Sequence, residues 1–295
     1  MSDESETGIG SQPASFRAHR DAENLDDAAL IPVAAAMLQA EKSAQRKRHL
    51  LFVLGHLGAK ANAAEVEAVA MPVLANEKNG YTLAAVLGAL RRLPRLQDAA
   101  PVRALLKSRN GQVREAAILA LRGDRSGEGE RDLLALIKRT QNRFELTYAV
   151  QTLGEIGCAA SIPALGAMIH NRNVDVKCAA ITALANVGGK AEQAMFLDAL
   201  GDKNPAAKAA AIFALQRHGD ARAVPKVAAR IKTLLRKPRA LEITPSDLAA
   251  GLEFLGRHRG LPEARDAIEE AKRSTTLFPA EERWVRSHFL NSPRR

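Results

Sequence analysis

Histidine and cysteine are the residue types of this chain that could perform catalysis or bind a metal. The histidines are His19, His49, His56, His170, His218, His258 and His288. None of them is followed by glutamate, and the two cysteines, Cys158 and Cys178, have no metal-binding spacing. The sequence also has no nucleotide-binding glycine loop and no G-x-S-x-G nucleophile turn. It therefore favours a binding role over catalysis, and we expect neither a cofactor nor a metal site.

Basic residues recur at one position of a sequence repeat, which is described below, and could bind an acidic partner. Five of the six residues at this position are cationic, and the series is Lys42, Lys78, Arg109, Gln141, Arg172 and Lys203. Four further cations lie close to it in the sequence, namely Lys107, Lys138, Arg139 and Arg143. Two interpretations remain open. Cations near the carboxyl end of a helix stabilise it by a few tenths of a kcal/mol, or the row binds an acidic protein or a nucleic acid.

A second basic cluster occurs in the stretch KVAARIKTLLRKPR. Its members are Lys226, Arg230, Lys232, Arg236, Lys237 and Arg239, and no acid occurs between Ala221 and Leu241. The cluster is either the solvated face of a helix followed by a polar insert, or a patch that contacts phosphates. The second interpretation would make binding fall steeply with salt.

The repeated phrase predicts the elements that position these basic residues. A polar residue is followed eleven positions later by leucine in the pairs Asn79/Leu90, Asn110/Leu121, Asn142/Leu153, Asn173/Leu184 and Asn204/Leu215. These pairs are 31 or 32 residues apart, and Ser43/Leu54 and Thr244/Leu255 extend the series to seven copies. Repetition at such a period is typical of stacked helical repeats.

Each copy is predicted to be a pair of helices, A and B. The polar residue caps the B helix by accepting hydrogen bonds from its first turn. Small apolar residues and the leucine form one stripe with helical spacing, and a shorter apolar A helix precedes each cap. Aromatic residues make up only 4% of the chain, which suits closely packed helices. The prediction is an all-α, right-handed α-solenoid of about seven pairs.

The stretch from Thr152 to Gly189 resembles HEAT repeats of the short bacterial kind, which also occur in bilin lyases. The shared features are L-G-x-I-G, then a-I-P-A-L, then N-x-x-V-[RK]-x-A-A-x-A-L. The resemblance covers roughly residues 26–260. It departs where the basic residue of Arg114, Lys177 and Lys208 becomes Leu83 and Leu146.

In this family the B helices line a concave surface. The resemblance therefore implies that residues nine positions after each cap face a partner there. These residues are Phe52, Gly88, Leu119, Gln151, Thr182, Phe213 and Glu253. Packing between neighbouring repeats would explain the same residues equally well.

Three segments are expected. Residues 1–24 are expected to form a disordered acidic tail, and residues 1–27 carry seven acids. Residues 25–262 form the repeat array, and residues 263–295 form a capping pair of helices in which Trp284, Phe289 and Phe278 close the core. Because no signal segment and no run of 18 apolar residues is present, a cytoplasmic location without membrane insertion is expected.

The chain carries a formal net charge of +10, which favours acidic partners. The favoured function is a non-catalytic scaffold that binds another protein with an acidic surface. The alternative is a nucleic-acid-binding or DNA-repair solenoid that uses its basic edge. A bilin-lyase-type protein is the third possibility, and it rests on the resemblance alone.

Overall fold

The computed structural model describes residues 20–236 and 246–290 and contains only helical elements in those ranges. The chain divides into two compact units, one ending at Ile156 and the next beginning at Gly157. Each unit consists of successive pairs of A and B helices. The predicted all-α architecture of repeated helix pairs is therefore confirmed in the part of the chain that the structure describes.

The described part of the first unit contains four helix pairs. They are α1 (Leu30–Ala40) with α2 (Ala44–Lys60), α3 (Ala63–Asn76) with α4 (Gly80–Arg92), α5 (Ala100–Ala104) with α6 (Gly111–Ala120), and α7 (Glu128–Arg139) with α8 (Arg143–Ile156). Short 3-10 turns, Leu105–Lys107 and Leu121–Gly123, extend α5 and α6. The B helices α2, α4, α6 and α8 pack side by side in that order.

The second unit also contains four pairs in its described residues. They are α9 (Ile162–Met168) with α10 (Val174–Val187), α11 (Gln193–Ala199) with α12 (Pro205–His218), α13 (Val224–Leu235) with α14 (Asp247–Arg257), and α15 (Pro262–Arg273) with α16 (Pro279–Val285). A π-helical turn, Arg286–Leu290, follows α16. The B helices α10, α12 and α14 are again neighbours.

Asparagine and serine side chains cap the amino-terminal ends of the B helices, as the sequence repeat predicts. The Oδ1 atom of Asn79, for example, accepts hydrogen bonds from the backbone N–H groups of Tyr81 and Thr82 at 3.0 and 3.1 Å. The prediction of Thr244 as the cap of the last B helix was wrong. That helix begins at Asp247, and Ser246 caps it by accepting from the N–H of Ala249. Serine caps a helix at least as well as threonine, so the later residue takes the role.

The leucine of each repeated phrase lies in the core of its unit. Leu54, Leu90, Leu121, Leu153, Leu184, Leu215 and Leu255 are each at most 1% exposed. The B helices approach so closely that a Cβ atom on Gly55 of α2 would lie 2.8 Å from the Cα atom of Ala89 in α4. Small residues next to these leucines, such as Gly55 and Ala89, therefore set the distance between neighbouring B helices.

The ends of the described chain differ slightly from expectation. Residues 20–23 are helical, Ala22 is buried, and Lys60 donates a hydrogen bond to the backbone oxygen of Glu23. Residues 20–23 therefore contact the first helix pairs, and residues 1–19 lie outside the described part; the boundary at residue 25 stays a prediction. At the other end, the Phe289 ring lies against Gly256 of α14. Its ring also meets the Trp284 ring edge-on at 5.7 Å, as a capping cluster would.

No helix in the described ranges combines the length and the apolar character that a bilayer crossing requires. The longest of them, α2, has 17 residues and carries charged side chains near both of its ends.

Replacing a buried leucine of the repeat should destabilise the fold far more than replacing an exposed residue of the same helix. Leu184→Ala should lower the free energy of unfolding by about 2–5 kcal/mol, because it leaves a cavity in the core. Thr182→Ala, at an exposed position of α10, should change it by no more than about 0.5 kcal/mol. Urea denaturation followed by circular dichroism measures both. Equal effects would contradict the burial of the leucine stripe.

Candidate partner-binding edge

The turns between A and B helices share one construction in both units. The residue two positions before each cap accepts a hydrogen bond from the backbone N–H of the cap residue. These acceptors are Glu41, Glu77, Ser108, Thr140, Asn171 and Asp202, at distances between 2.7 and 3.2 Å. The cap residue then bonds into the first turn of the B helix. The residue between them has no such role, so its side chain is free to extend into solvent.

The predicted basic series occupies this intermediate position. Lys42, Lys78, Arg109 and Gln141 lie in the first unit, and Arg172 and Lys203 lie in the second; all six are exposed. None of the five cations forms an ion pair with a residue in the described ranges. We call the surface formed by these turns the turn edge of each unit.

Acidic residues near the turns are held by basic residues of the preceding B helix. The residue four positions after a cap reaches the next turn in the pairs Lys47–Glu77 at 3.7 Å, Arg114–Glu145 at 2.7 Å and Lys177–Asp202. These acids are therefore neutralised within the protein, while the cations at the intermediate position are not. The turn edge of each unit is consequently electropositive.

This pairing explains both departures from the repeat pattern. Leu83 and Leu146 replace the basic residue in two copies. The next copy then has neutral Ser108 or Asn171 two positions before its cap, and it has valine where Glu145 lies three positions after a cap. A half-buried lysine or arginine without an acidic partner would lose hydration without compensation. Leucine therefore replaces the cation where the following copy has no acid at either of these two positions.

The Arg114–Glu145 pair is the most buried of these contacts. Glu145 is 4% exposed, and it accepts hydrogen bonds from the Nε atom of Arg114 and the Oγ1 atom of Thr140, both at 2.8 Å. Arg114 also donates from Nη1 to the backbone oxygen of Ser108 at 2.8 Å. One guanidinium thus links two successive turns of the first unit and holds their backbones in place.

Positive charge is densest at the turns of the third and fourth pairs. Lys107, Arg109, Lys138, Arg139 and Arg143 are all exposed there and form no ion pair within the described chain. A shallow cleft of about 340 Å³ lies between these turns. A partner could therefore approach several cations at once without breaking an existing ion pair.

Two exposed aromatic side chains beside this edge escaped the sequence analysis. Tyr81 is 61% exposed and Phe144 is 46% exposed. Each lies near an arginine, with Arg48 5.8 Å from the Tyr81 ring centre and Arg143 4.6 Å from the Phe144 ring centre. Both follow their cap by two positions, which lie outside the buried stripe, so their sequence position was a usable signal.

The basic cluster of α13 is only partly available to a partner. Arg230 is paired with Asp247 at 3.2 Å and Arg236 with Glu270 at 3.3 Å. Lys226 is exposed and Lys232 is half-buried, whereas Lys237 and Arg239 lie outside the described residues. Two of the four described cations therefore already serve contacts within the second unit.

The residues predicted to face a partner on the B helices lie outside the core. Phe52, Gly88, Leu119 and Phe213 are half-buried, and Gln151, Thr182 and Glu253 are exposed. Their position outside the core agrees with the repeat phase. That they line a concave surface and bind a partner stays a prediction.

Capped B helices in successive A–B pairs, with one buried leucine stripe on each B helix, give the described chain a fold of stacked helix pairs similar to that of HEAT repeats. Residues 172–240 match the family model of HEAT repeats. The resemblance found in the sequence is thereby confirmed over these residues.

Two solved structures have a similar fold. The Escherichia coli protein YibA is 17% identical with a TM-score of 0.54, and the alignment covers 90% of this chain and 100% of that one. The complex of CpcE and CpcF of phycocyanin lyase from Nostoc sp. PCC7120 is 16% identical with a TM-score of 0.52, covering 92% and 98%. At these identities the similarity concerns the fold alone. No curated protein sequence matches the chain.

The contact between Lys177 and Asp202 should make stability depend on pH. The hydrogen bond from Lys177 is the main cause that lowers the pKa of Asp202 below its usual value. The resulting stabilisation is present above that usual value, about 4, and is lost as the pH falls through the lower value of the folded state. Lys177→Met should therefore lower the free energy of unfolding by about 1 kcal/mol at neutral pH.

Urea denaturation at several pH values measures this effect. The difference between wild type and Lys177→Met should shrink as the pH falls below about 4. Lys203→Met removes an exposed lysine without an ion pair in the described chain and is the matched control. A difference for Lys177→Met that is constant with pH would show that the contact is not electrostatic.

Proposed function

We propose that this protein is a non-catalytic scaffold that binds the acidic surface of another protein along the turn edge of its first unit. The observation that carries the proposal is the set of exposed cations at the turns of the third and fourth pairs, which form no ion pair with the residues that the structure describes. The nearby acid Glu145 does not neutralise these cations because it is already paired with Arg114. The edge can therefore accept carboxylates from outside.

The spacing of the repeats supports a protein partner. Neighbouring B helices lie roughly 8–10 Å apart, so equivalent cations in successive turns are presented at regular intervals. Exposed charges at the rim of an interface mainly speed association and select a complementary partner. A partner with acidic side chains at a similar spacing would pair with several turns at once.

The competing explanation for the same cations is local helix stabilisation. A cation near the carboxyl end of a helix contributes about 0.3–1 kcal/mol, and this contribution requires no partner. The two explanations differ in what charge reversal does. A helix-end role predicts a small loss of stability, whereas a binding role predicts a loss of affinity for acidic ligands at unchanged fold.

Charge reversal on the turn edge should abolish binding to an acidic probe. Lys107→Glu, Arg109→Glu and Lys138→Glu together should remove binding of a polyglutamate peptide at low salt, measured by isothermal titration calorimetry. The matched control reverses three exposed cations of the last pairs, Arg259, Arg265 and Arg273, and should keep the affinity within about twofold of wild type.

Circular dichroism must report the same helix content for both triple variants. Co-purification from the source cell then identifies the natural partner, which should be lost from the turn-edge variant and retained by the control. Equal binding by wild type and the turn-edge variant would contradict the proposal and leave helix-end stabilisation as the role of these cations.

Single-stranded nucleic acid is a second candidate ligand, and the exposed rings of Tyr81 and Phe144 favour it. Proteins that bind single strands combine a positive groove with aromatic side chains on which bases stack, each stacked base contributing about 1–3 kcal/mol. Both rings lie beside arginines on the turn edge. Duplex binding would use the cations alone.

Removing the two rings should separate these ligands. Tyr81→Ala with Phe144→Ala should weaken binding of an oligothymidylate at least tenfold, since about 1.4 kcal/mol corresponds to tenfold, and should leave polyglutamate binding unchanged. Val33→Ala with Met37→Ala removes two equally exposed apolar side chains of α1 and is the control. Fluorescence anisotropy across a salt series measures the affinity. A flat salt dependence would exclude phosphate contacts.

The lyase possibility draws support only from the fold that the chain shares with the CpcE and CpcF lyase subunits. One fold serves unrelated functions, so we do not extend the proposal to that activity. A cytoplasmic location likewise stays a prediction from the sequence.

A further inference from the structure

A positively charged cleft lies at the opposite end of the B helices of the first unit. It has a volume of about 540 Å³ and is lined by His56, Arg92, Arg122, Arg125 and Glu155, together with apolar neighbours. The helix α4 has 13 residues, so at 1.5 Å per residue the cleft is about 20 Å from the turn edge. It is a separate site, and nothing in the proposed function uses it.

Arg92 is held rigidly at the wall of this cleft. Its guanidinium lies over the Phe52 ring, 5.0 Å from the ring centre. Its Nε atom donates to the Nε2 atom of His56 at 3.0 Å, and Nη1 donates to the backbone oxygen of Gly88 at 3.1 Å. Nη2 has no hydrogen-bond acceptor among the described residues. It is therefore oriented in advance and available to a ligand.

The partners of Arg92 do not neutralise its charge. Burial, and then the charge of Arg92, lower the pKa of His56, so its imidazole is neutral at neutral pH. A neutral ring can accept a hydrogen bond at Nε2, as the geometry requires. The backbone oxygen of Gly88 is also uncharged. Glu23 acts on Arg92 only at longer range, so a positive charge stays at the wall.

Arg125 presents a second charge that is not neutralised. Its Nη1 atom donates to the backbone oxygens of Arg122 and Asp124 at 2.9 and 3.3 Å, and Nη2 donates to that of Pro94 at 3.4 Å. These acceptors fix the side chain without an acidic partner. Arg122, by contrast, is paired with Glu155 at 2.9 Å. Of the three arginines, two therefore keep their charge.

We propose that this cleft binds a phosphate monoester, with Arg92 and Arg125 as the binding residues. A guanidinium donates two parallel hydrogen bonds to a phosphate or carboxylate. Two such groups match the charge of a phosphate monoester, which is close to −2 at neutral pH. A single carboxylate would leave one arginine without a counter-charge. Glu155 limits the affinity, because it holds the third arginine.

Titration with phosphate probes tests the site directly. Phenyl phosphate should bind to the full chain in isothermal titration calorimetry, inorganic phosphate should bind more weakly because it lacks the apolar group, and acetate should not bind measurably. Arg125→Gln should weaken phenyl phosphate binding about tenfold or more, since a hydrogen bond to a charged group contributes about 1.5–3 kcal/mol. Arg125 is exposed, so this variant should fold.

A gain of affinity gives the sharper test. Glu155→Gln releases Arg122 and should tighten phenyl phosphate binding several-fold, which a damaged fold cannot mimic. Arg265→Gln changes the charge elsewhere by the same amount as Arg125→Gln and should leave binding unchanged. Unaltered affinity in both Arg125→Gln and Glu155→Gln would overturn the proposal, and so would acetate binding as tight as that of phenyl phosphate. Each result is independent of polyglutamate binding at the turn edge.

Discussion

Burial of one apolar stripe on each B helix is the constraint on which the rest of this structure depends. A single helix pair cannot cover that stripe, so each B helix must pack against the B helix of the next pair within its unit. The leucines at the centre of the stripe are almost completely inaccessible. Once this phase is fixed, every other position of the repeat has a defined environment.

The position of a charged residue relative to this buried stripe decides whether it forms an ion pair within the protein or stays exposed to solvent. Position four of a B helix points to the following turn, and there it meets an acid in three of the described copies. The position just before the cap points to solvent and meets none. Charges of one sign thus remain on the turn edges, while the opposite ends of the helices in the first unit gather arginines around a cleft.

Much of the fold was predictable because its signals are local. A cap residue, a stripe and a glycine can be read within about fifteen residues, which is the length of one helix. The pairing of Arg114 with Glu145 could not be read in this way, since it joins residues 31 positions apart. The exposed charge of Arg125 also depends on backbone oxygens that only the folded loop assembles. The sequence predicted the series of exposed cations but not the cleft.

The forward pairing of basic residues with the next turn has a consequence for how such a chain can be lengthened or rearranged. A copy excised from cap to cap would carry Lys47 or Lys177 away from the acid that it faces. Inserted before the turn of Ser108, it would place that lysine beside a neutral turn. The transferable module therefore includes a B helix together with the A helix and turn that come after it. Gene duplication that respects this boundary preserves electrostatic matching at both junctions.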